Sequence, residues 1–357
     1  MKLIHCADLH LDSPMESNLS AEQAKERKNE ILGTFAKLVQ LASDSQVAAI
    51  LISGDLFDSR HITKRTERYV LDLIRKHPNL YFFYLAGNHD KGSLLSELDE
   101  SLRPENLCLF GAEWSSYDFG DVVITGSEEP DLDSLSLSEN KLNIVMLHGQ
   151  EATGDRKTDK RDIIRFSKLK GKHVDYVALG HLHTYRTAKI DERCTACYSG
   201  CLEGRGFDEC GQKGFVLLEI EAGKISQRFV PIARRELHAV TCDITGFTTR
   251  MELEELVTAA VKDIPQSSLV KVILTGACPA EQSKDVDYLL TMLSDRFYFA
   301  KIYDETRMLI RPEDYRNDIS LKGEFVRRVL ASDLSDLEKE RVLACGFRAL
   351  CGEEVEL

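Results

Sequence analysis

No apolar run in this sequence approaches the ~18–20 residues that a helix needs to span a bilayer, so a helical membrane protein is not expected. An excess of positive charge is missing too. Lys and Arg number 46 against 59 Asp and Glu, a formal net charge of −13, which argues against a protein that binds nucleic acid through its whole surface. Internal repeats and low-complexity tracts are not evident. The first strand-like run, at Leu3, is not part of the combination of basic flank, long apolar stretch and small-residue cleavage site that marks a leader. No secretory signal is therefore expected, and a cytoplasmic location is. What is present is ordinary for a globular protein: 43% hydrophobic and 29% charged residues in 357, enough for a full core and for two domains.

Ten cysteines need an account in a reducing compartment. Cys6, Cys108, Cys242, Cys278, Cys345 and Cys351 are scattered, as buried small hydrophobes would be. Cys194, Cys197, Cys201 and Cys210 are closer together and raise the question of zinc. Zinc clusters pair one CxxC with another close pair, and the spacing after Cys197 is irregular. Plain substitutions in a strand-and-loop segment are the better reading.

The first 190 residues alternate strand and helix patterns. Ser20-Ala21-Glu22-Gln23 resembles a capping box and opens a helix carrying Ile31, Leu32, Phe35, Leu38, Val39 and Leu41 at helical spacing. A second helix is expected over 63–76, and a hairpin over 117–124. From Phe215 two strands follow each other without a helix, which suggests the antiparallel side of a two-sheet core. A boundary is placed near Ala233-Arg234-Arg235-Glu236. Beyond it the pattern predicts strands near 238–244, 269–274 and 297–302 with helices near 251–262 and 286–293. Amphipathic helices near 321–331 and 335–350 close the chain, the second carrying Leu337, Val342, Leu343, Phe347 and Leu350. Packing against their own domain and docking of a partner are both open for them. The division expected is 1–235, 236–316 and 317–357.

Five segments carry chemistry: Asp8-Leu9-His10, Gly54-Asp55, Gly87-Asn88-His89-Asp90, His148-Gly149 and Gly180-His181-Leu182-His183. Each follows an apolar run that reads as a buried strand, and parallel strands deliver their C-terminal ends to one common edge. Singly, each segment is as well explained by a cap or a tight turn. Together they offer two carboxylates, one amide oxygen and four imidazoles, enough for two metals. Two divalent ions about 3.5–4 Å apart suit an in-line displacement at phosphorus. Asp55 is the candidate bridge, Asn88 a neutral oxygen donor, and His181 and His183 are read as serving different metals. Mixed imidazole and oxygen ligation favours Mn, Fe, Zn or Co over Mg or Ca. His89 follows Asn88 directly, so it reaches the site without having to be a ligand. There it is suited to steadying phosphoryl charge or protonating a leaving alkoxide.

Positive charge concentrates between Arg156 and Lys172, eight Lys or Arg against Asp159 and Asp162. A solvated face and a contact to a phosphate backbone are both open there, the latter through Arg156, Lys157, Lys160 and Arg161. Gly204-Arg205-Gly206 is open in the same way: Arg205 either meets a phosphate or packs in a loop.

These motifs resemble those of the calcineurin-like metallophosphoesterase superfamily: D-x-H, G-D, G-N-H-[DE], H and G-H-x-H, all intact between residues 8 and 183. Ala7-Asp8-Leu9-His10-Leu11-Asp12-Ser13-Pro14, Ser53-Gly54-Asp55-Leu56-Phe57-Asp58, Tyr198-Ser199-Gly200 and the run from Leu202 to Glu209 resemble SbcD-type DNA repair exonucleases, especially the YhaO-like branch. The resemblance implies an α/β fold, a two-sheet sandwich with a small α+β capping domain and C-terminal helices. It further implies one metal on Asp8, His10, Asp55 and His183, another on Asp55, Asn88, His148 and His181, and His89 as catalytic histidine. Manganese-dependent cleavage of DNA and an SbcC-type ATPase partner come with it, and a homodimer is compatible. Some nuclease relatives carry a second histidine where this chain has Asp58. A phosphatase or small phosphodiesterase is the competing function, although the G-D-x-x-D-R-G pattern of protein phosphatases is not met. A non-catalytic scaffold is the third, and it expects lost ligands where none is missing.

Overall fold

The computed structural model describes all residues except 16–18, 59–61, 91–94, 96, 97, 99, 153–162, 280, 281, 283, 311 and 351–357. The chain divides into two compact units, Met1–Leu237 and His238–Leu357.

The first unit is built on two mixed sheets. Strands β1 (Lys2–Cys6), β2 (Ala49–Ser53), β3 (Tyr81–Leu85) and β4 (Leu107–Leu109) run parallel, and β13 (Gly214–Glu221) pairs antiparallel with β1 and with β14 (Lys224–Pro231). The order is β14-β13-β1-β2-β3-β4. The other sheet runs β11-β12-β10-β7-β6-β5, made of β5 (Ser115–Phe119), β6 (Val122–Gly126), β7 (Leu142–His148), β10 (Tyr176–Gly180), β11 (Arg186–Lys189) and β12 (Thr195–Tyr198). Its centre, from β6 through β7 and β10 to β12, is parallel, with antiparallel hairpins at both edges. A short parallel pair, β8 (Gln150–Glu151) and β9 (Ile163–Ile164), lies beyond β7.

The apolar runs are nearly continuous because the central strands are buried on both faces. Leu3, Leu51, Phe83, Ile144, Met146, Ala178 and Val216 fill the space between the sheets. Ile4, Cys6, Ile50, Ile52 and Phe82 face helix α1 (Ala21–Asp44) and helix α2 (Lys64–Lys76) through Ile31, Phe35, Leu38 and Val70. The capping box at Ser20 and Gln23 is formed in both directions, and Thr63 caps α2. One polar pair crosses the inter-sheet core, His5 Nδ1 to the Tyr176 hydroxyl at 2.9 Å. Burial drives His5 down to about 3, so it stays neutral.

Helix α1 also carries a buried charge cluster. Arg27 bonds Glu30, Glu203 and the Gly204 carbonyl, while Thr34 and the Arg234 N–H bond Glu203. This fastens the Glu203–Glu209 loop to the helix.

In the second unit β15 (Leu237–Asp243), β16 (Leu269–Thr275) and β18 (Phe299–Asp304) form a sheet, with α3 (Arg250–Ala260) and α4 (Val286–Arg296). Val257, Val270, Val272, Leu274, Leu289 and Leu293 are its core. A second parallel pair is β17 (Ala277–Pro279) and β19 (Arg307–Leu309). Helices α5 (Leu321–Leu330) and α6 (Asp336–Leu350) bury Val326, Val329, Leu343 and Phe347 with Tyr315. Leu337, one of the apolar residues of α6, is 64% exposed. No helix among the described residues is long and apolar enough to cross a membrane.

Candidate metal centre

The C-terminal ends of β1, β2, β3, β7 and β10 bring the five segments together. Asp8 and His10 leave β1 beside the turn after β2: Asp8 N–H donates to Gly54 O at 3.0 Å, His10 N–H to Asp55 O at 2.9 Å and Leu11 N–H to Leu56 O at 3.0 Å. Four of the residues, Asp8, His10, Asp55 and His181, hold left-handed φ angles of 55°, 45°, 51° and 100°. Such backbone strain costs of order 1–3 kcal/mol per residue and persists where its surroundings enforce it.

Glycines make the close approach possible. A Cβ on Gly180 would lie 2.0 Å from Ser53 O and 2.8 Å from His148 Nδ1; one on Gly87 would lie 2.2 Å from Asp55 Oδ1. Gly87 is thus needed for space, not for a positive φ. Asp90, fully buried, clamps the same turn. It accepts N–H bonds from Gly87 at 2.8 Å, Phe57 at 2.8 Å and Leu56 at 3.3 Å. Burial and the Asp55 charge push Asp90 up to about 6 against those bonds.

Asp55 and His148 each have one atom tied down and another facing the centre. Asp55 Oδ1 accepts the His89 N–H at 2.9 Å, leaving Oδ2 3.3 Å from His148 Nε2 and 3.7 Å from His10 Nε2. His148 Nδ1–H donates to Ser53 O at 3.0 Å, so its Nε2 faces Asp55 Oδ2 and, at 3.0 Å, Asn88 Oδ1. Asp8 accepts the His181 N–H at 2.8 and 3.1 Å. His10 Nε2 and His183 Nε2 stand 3.2 Å apart. Ligand-type atoms of Asp8, His10 and His183, and of Asp8, Asp55 and His148, lie within 4.8 Å of one another. The His181 ring lies edge-on to His148 at 5.4 Å between centroids.

Electrostatics describe a site that wants cations. Asp55 is held well below the usual carboxylate range: burial opposes this, but the His148 bond and charge, with His10, outweigh it. Burial alone would lower His148, yet Asp55 and Asp8 hold it up at about 9. Asp8 is pushed up to about 6 by burial, the opposing pull of His148 and His183 being smaller. His10 is lowered to about 3 by burial and by the Arg205 charge. Asp55 Oδ2, Asn88 Oδ1 and, when it is unprotonated, His148 Nε2 bring three lone pairs to one point. A positive charge must sit there, either a proton on His148 or a metal ion. The donor set therefore fits divalent cations of the kind that accept both imidazole and carboxylate.

Residues 1–185 match the family model described as calcineurin-like phosphoesterase. The chain belongs to that family. It is a metal-dependent phosphoesterase, and the family uses divalent metals. This phosphoesterase is 25% identical over 300 residues to the uncharacterized metallophosphoesterase YhaO of Bacillus subtilis, covering 78% of this chain and 72% of that protein. It is 25% identical over 286 residues to the DNA double-strand break repair protein Mre11 of Methanosarcina mazei (75% of this chain, 44% of that one). To an SbcCD nuclease subunit of Staphylococcus saprophyticus it is 25% identical over 269 residues (65% and 69%). The phosphoesterase thus spans less than half the length of that Mre11.

Other sequence expectations land differently. Arg156, Lys157, Lys160 and Arg161 lie outside the described residues. In the remainder of the basic run, Lys168 pairs with Asp133, and Lys172 donates to Asp133 O and Leu135 O, both at 2.9 Å. Arg205 is at the centre's edge, its guanidinium bonded to Glu209 at 2.8 Å and Ser13 Oγ at 3.3 Å. Asp58 has a carboxylate oxygen within 4.8 Å of nitrogens of His10 and His89. Sequence reasoning named Asp90 and Glu209 within their motifs but gave neither a role; both are carboxylates buried beside a site loop, at 0% and 5% exposure, and only the fold reveals that burial.

Proposed function

We propose that this phosphoesterase is a two-metal DNA nuclease that works with an SbcC-type ATPase. The observation that carries the metal reading is the convergence of Asp55 Oδ2, Asn88 Oδ1 and His148 Nε2, continued by the facing His10 and His183 nitrogens. Asp8, His10, Asp55 and His183 would hold one ion, and Asp55, Asn88, His148 and His181 the other. Once bound, the ions supply Lewis acidity at phosphorus and a nucleophile at neutral pH. Manganese is the metal we assign, with iron, zinc and cobalt as the alternatives that mixed donors permit.

The chain's own residues do the rest. Asp55 turns Oδ2 toward the centre because Oδ1 is spent on the His89 N–H, and that same bond aims the His89 segment at the site. His89 is exposed, its ring 5.0 Å from that of His10, where it meets a bound phosphodiester and passes a proton to the leaving alkoxide. DNA as substrate is supported by relatives whose names state DNA double-strand break repair and SbcCD nuclease. Residues 236–316 and 317–357 are assigned as capping domain and helical segment. A cytoplasmic setting agrees with the free cysteines of the described residues.

Purified protein with Mn, offered linear DNA, nucleotide esters and phosphopeptides, tests this. Cleavage of DNA is expected. Robust phosphopeptide hydrolysis without DNA cleavage would replace the nuclease with a phosphatase.

A further inference from the structure

Glu209 is a buried carboxylate with no part in the assignment above. Its Oε1 lies 2.6 Å from His183 Nδ1 and 2.8 Å from Arg205 Nη2, and its Oε2 accepts the Arg205 N–H at 2.8 Å. Arg205 gives a guanidinium hydrogen to Oε1 and its backbone N–H to Oε2, so both oxygens of Glu209 meet donors and act as acceptors, as those of an ionised carboxylate do. An ionised carboxylate has no proton to give. The 2.6 Å contact therefore places the proton on His183 Nδ1. Arg205 Nη2 also lies 3.1 Å from that nitrogen; a guanidinium only donates, and Glu209 Oε1 at 2.8 Å is its nearer acceptor, while Oε1 at 2.6 Å is the nearer partner of Nδ1. With Nδ1 protonated, His183 Nε2 keeps its lone pair, and that atom is the one facing His10.

The other histidines are oriented differently. His148 is fixed by a backbone carbonyl, that of Ser53. His10 Nδ1 is buried with no hydrogen-bond partner among the described residues. The His183 backbone is held as well, its carbonyl accepting from Lys213 Nζ at 2.8 Å and Cys201 N–H at 3.4 Å. Main chain and ring are thus both pinned, and the ring by a full negative charge.

We propose that Glu209, steadied by Arg205, is a positioning residue that fixes His183 as the Nδ1–H tautomer and so sets metal affinity at the position bounded by Asp8, His10 and His183. This rests on the two-metal reading. A carboxylate behind a ligating imidazole raises its basicity and holds its plane, and losing such a partner typically costs about 10–100-fold in metal affinity. Glu209 acts through His183, so the position beside His148 keeps its affinity.

The test is a manganese titration of metal-free wild type and E209Q, followed by equilibrium dialysis and EPR. Wild type is expected to bind two ions, and E209Q to bind one normally and the other about 10–100-fold more weakly. Two unchanged affinities in E209Q, with only thermal stability lowered, would overturn the proposal. Wild type binding no manganese would instead overturn the metal reading beneath it. Should E209Q not fold, nitrogen-15 histidine spectra of metal-free wild type give the answer: an Nδ1–H signal for His183 supports the proposal, and an Nε2–H tautomer overturns it.

Discussion

Nε2 of His148 stands 3.3 Å from Oδ2 of Asp55, two side chains delivered by strands of different sheets. That pair sets the acid–base character of the centre. Without metal, the proton on His148 is the charge that joins them, and His148 titrates at about 9. A metal must displace it, because a ligating imidazole has to be neutral at the bonding nitrogen.

Stability of the metal-free protein should fall as pH rises. His148 has its folded pKa raised from 6.5 to about 9, so its contribution is complete below 6.5 and is lost as pH passes through 9. A shift of that size is at most ~3 kcal/mol. Thermal melts in chelator between pH 7.5 and 9.5, where His5 and His10 are neutral both folded and unfolded, should show the decline, and manganese should raise Tm more at pH 9 than at pH 7.5. A flat profile would contradict the assignment.

His89→Asn should retain metal and lose turnover. The His89 N–H to Asp55 is a backbone bond and survives the substitution. Removing a general acid costs roughly 10²–10⁴-fold in rate. Metal content by mass spectrometry and turnover on DNA decide it. Loss of metal in this variant would show that His89 is a ligand.

Gly180→Ala should disable the centre while leaving every ligand in place. The added Cβ would meet Ser53 O at 2.0 Å, the carbonyl that orients His148. Overpacking of this kind costs about 1–3 kcal/mol or more. Weaker manganese binding together with a lower urea midpoint is expected; wild-type binding would contradict the crowding.

Arg27→Met should destabilise the first unit. Arg27 is 1% exposed and bonded to Glu30 and Glu203, and removing one partner of a buried pair costs about 3–5 kcal/mol. Because Glu203 begins the loop that carries Arg205 and Glu209, metal affinity should weaken as well. Urea denaturation with a loss under about 1 kcal/mol would contradict a structural role of this size.

Much of this architecture was legible because the physics is local. Strands buried on both faces leave continuous apolar runs, and Asp8, Asp55, Asn88, His148 and His181 each follow one. Capping at Ser20 and the turn at Gly120 likewise depend on neighbouring residues alone. The roles of Asp90 and Glu209 and the Arg27–Glu203 bond were not legible, since each joins segments far apart in sequence and a buried carboxylate looks like any surface acid until the fold covers it. The β11–β12 hairpin was hidden for a different reason: β11, Arg186–Lys189, is a mostly exposed edge strand without an apolar run. Cys194, Cys197, Cys201 and Cys210 form no disulfide among the described residues, and Cys201 Sγ sits against the His183 carbonyl at 3.5 Å.

Anomalous diffraction from manganese-soaked crystals tests the central claim most directly. Two peaks are expected, one among Asp8, His10, Asp55 and His183 and one among Asp55, Asn88, His148 and His181, with Asp55 common to both. A single peak, or peaks away from these side chains, would contradict the two-metal centre.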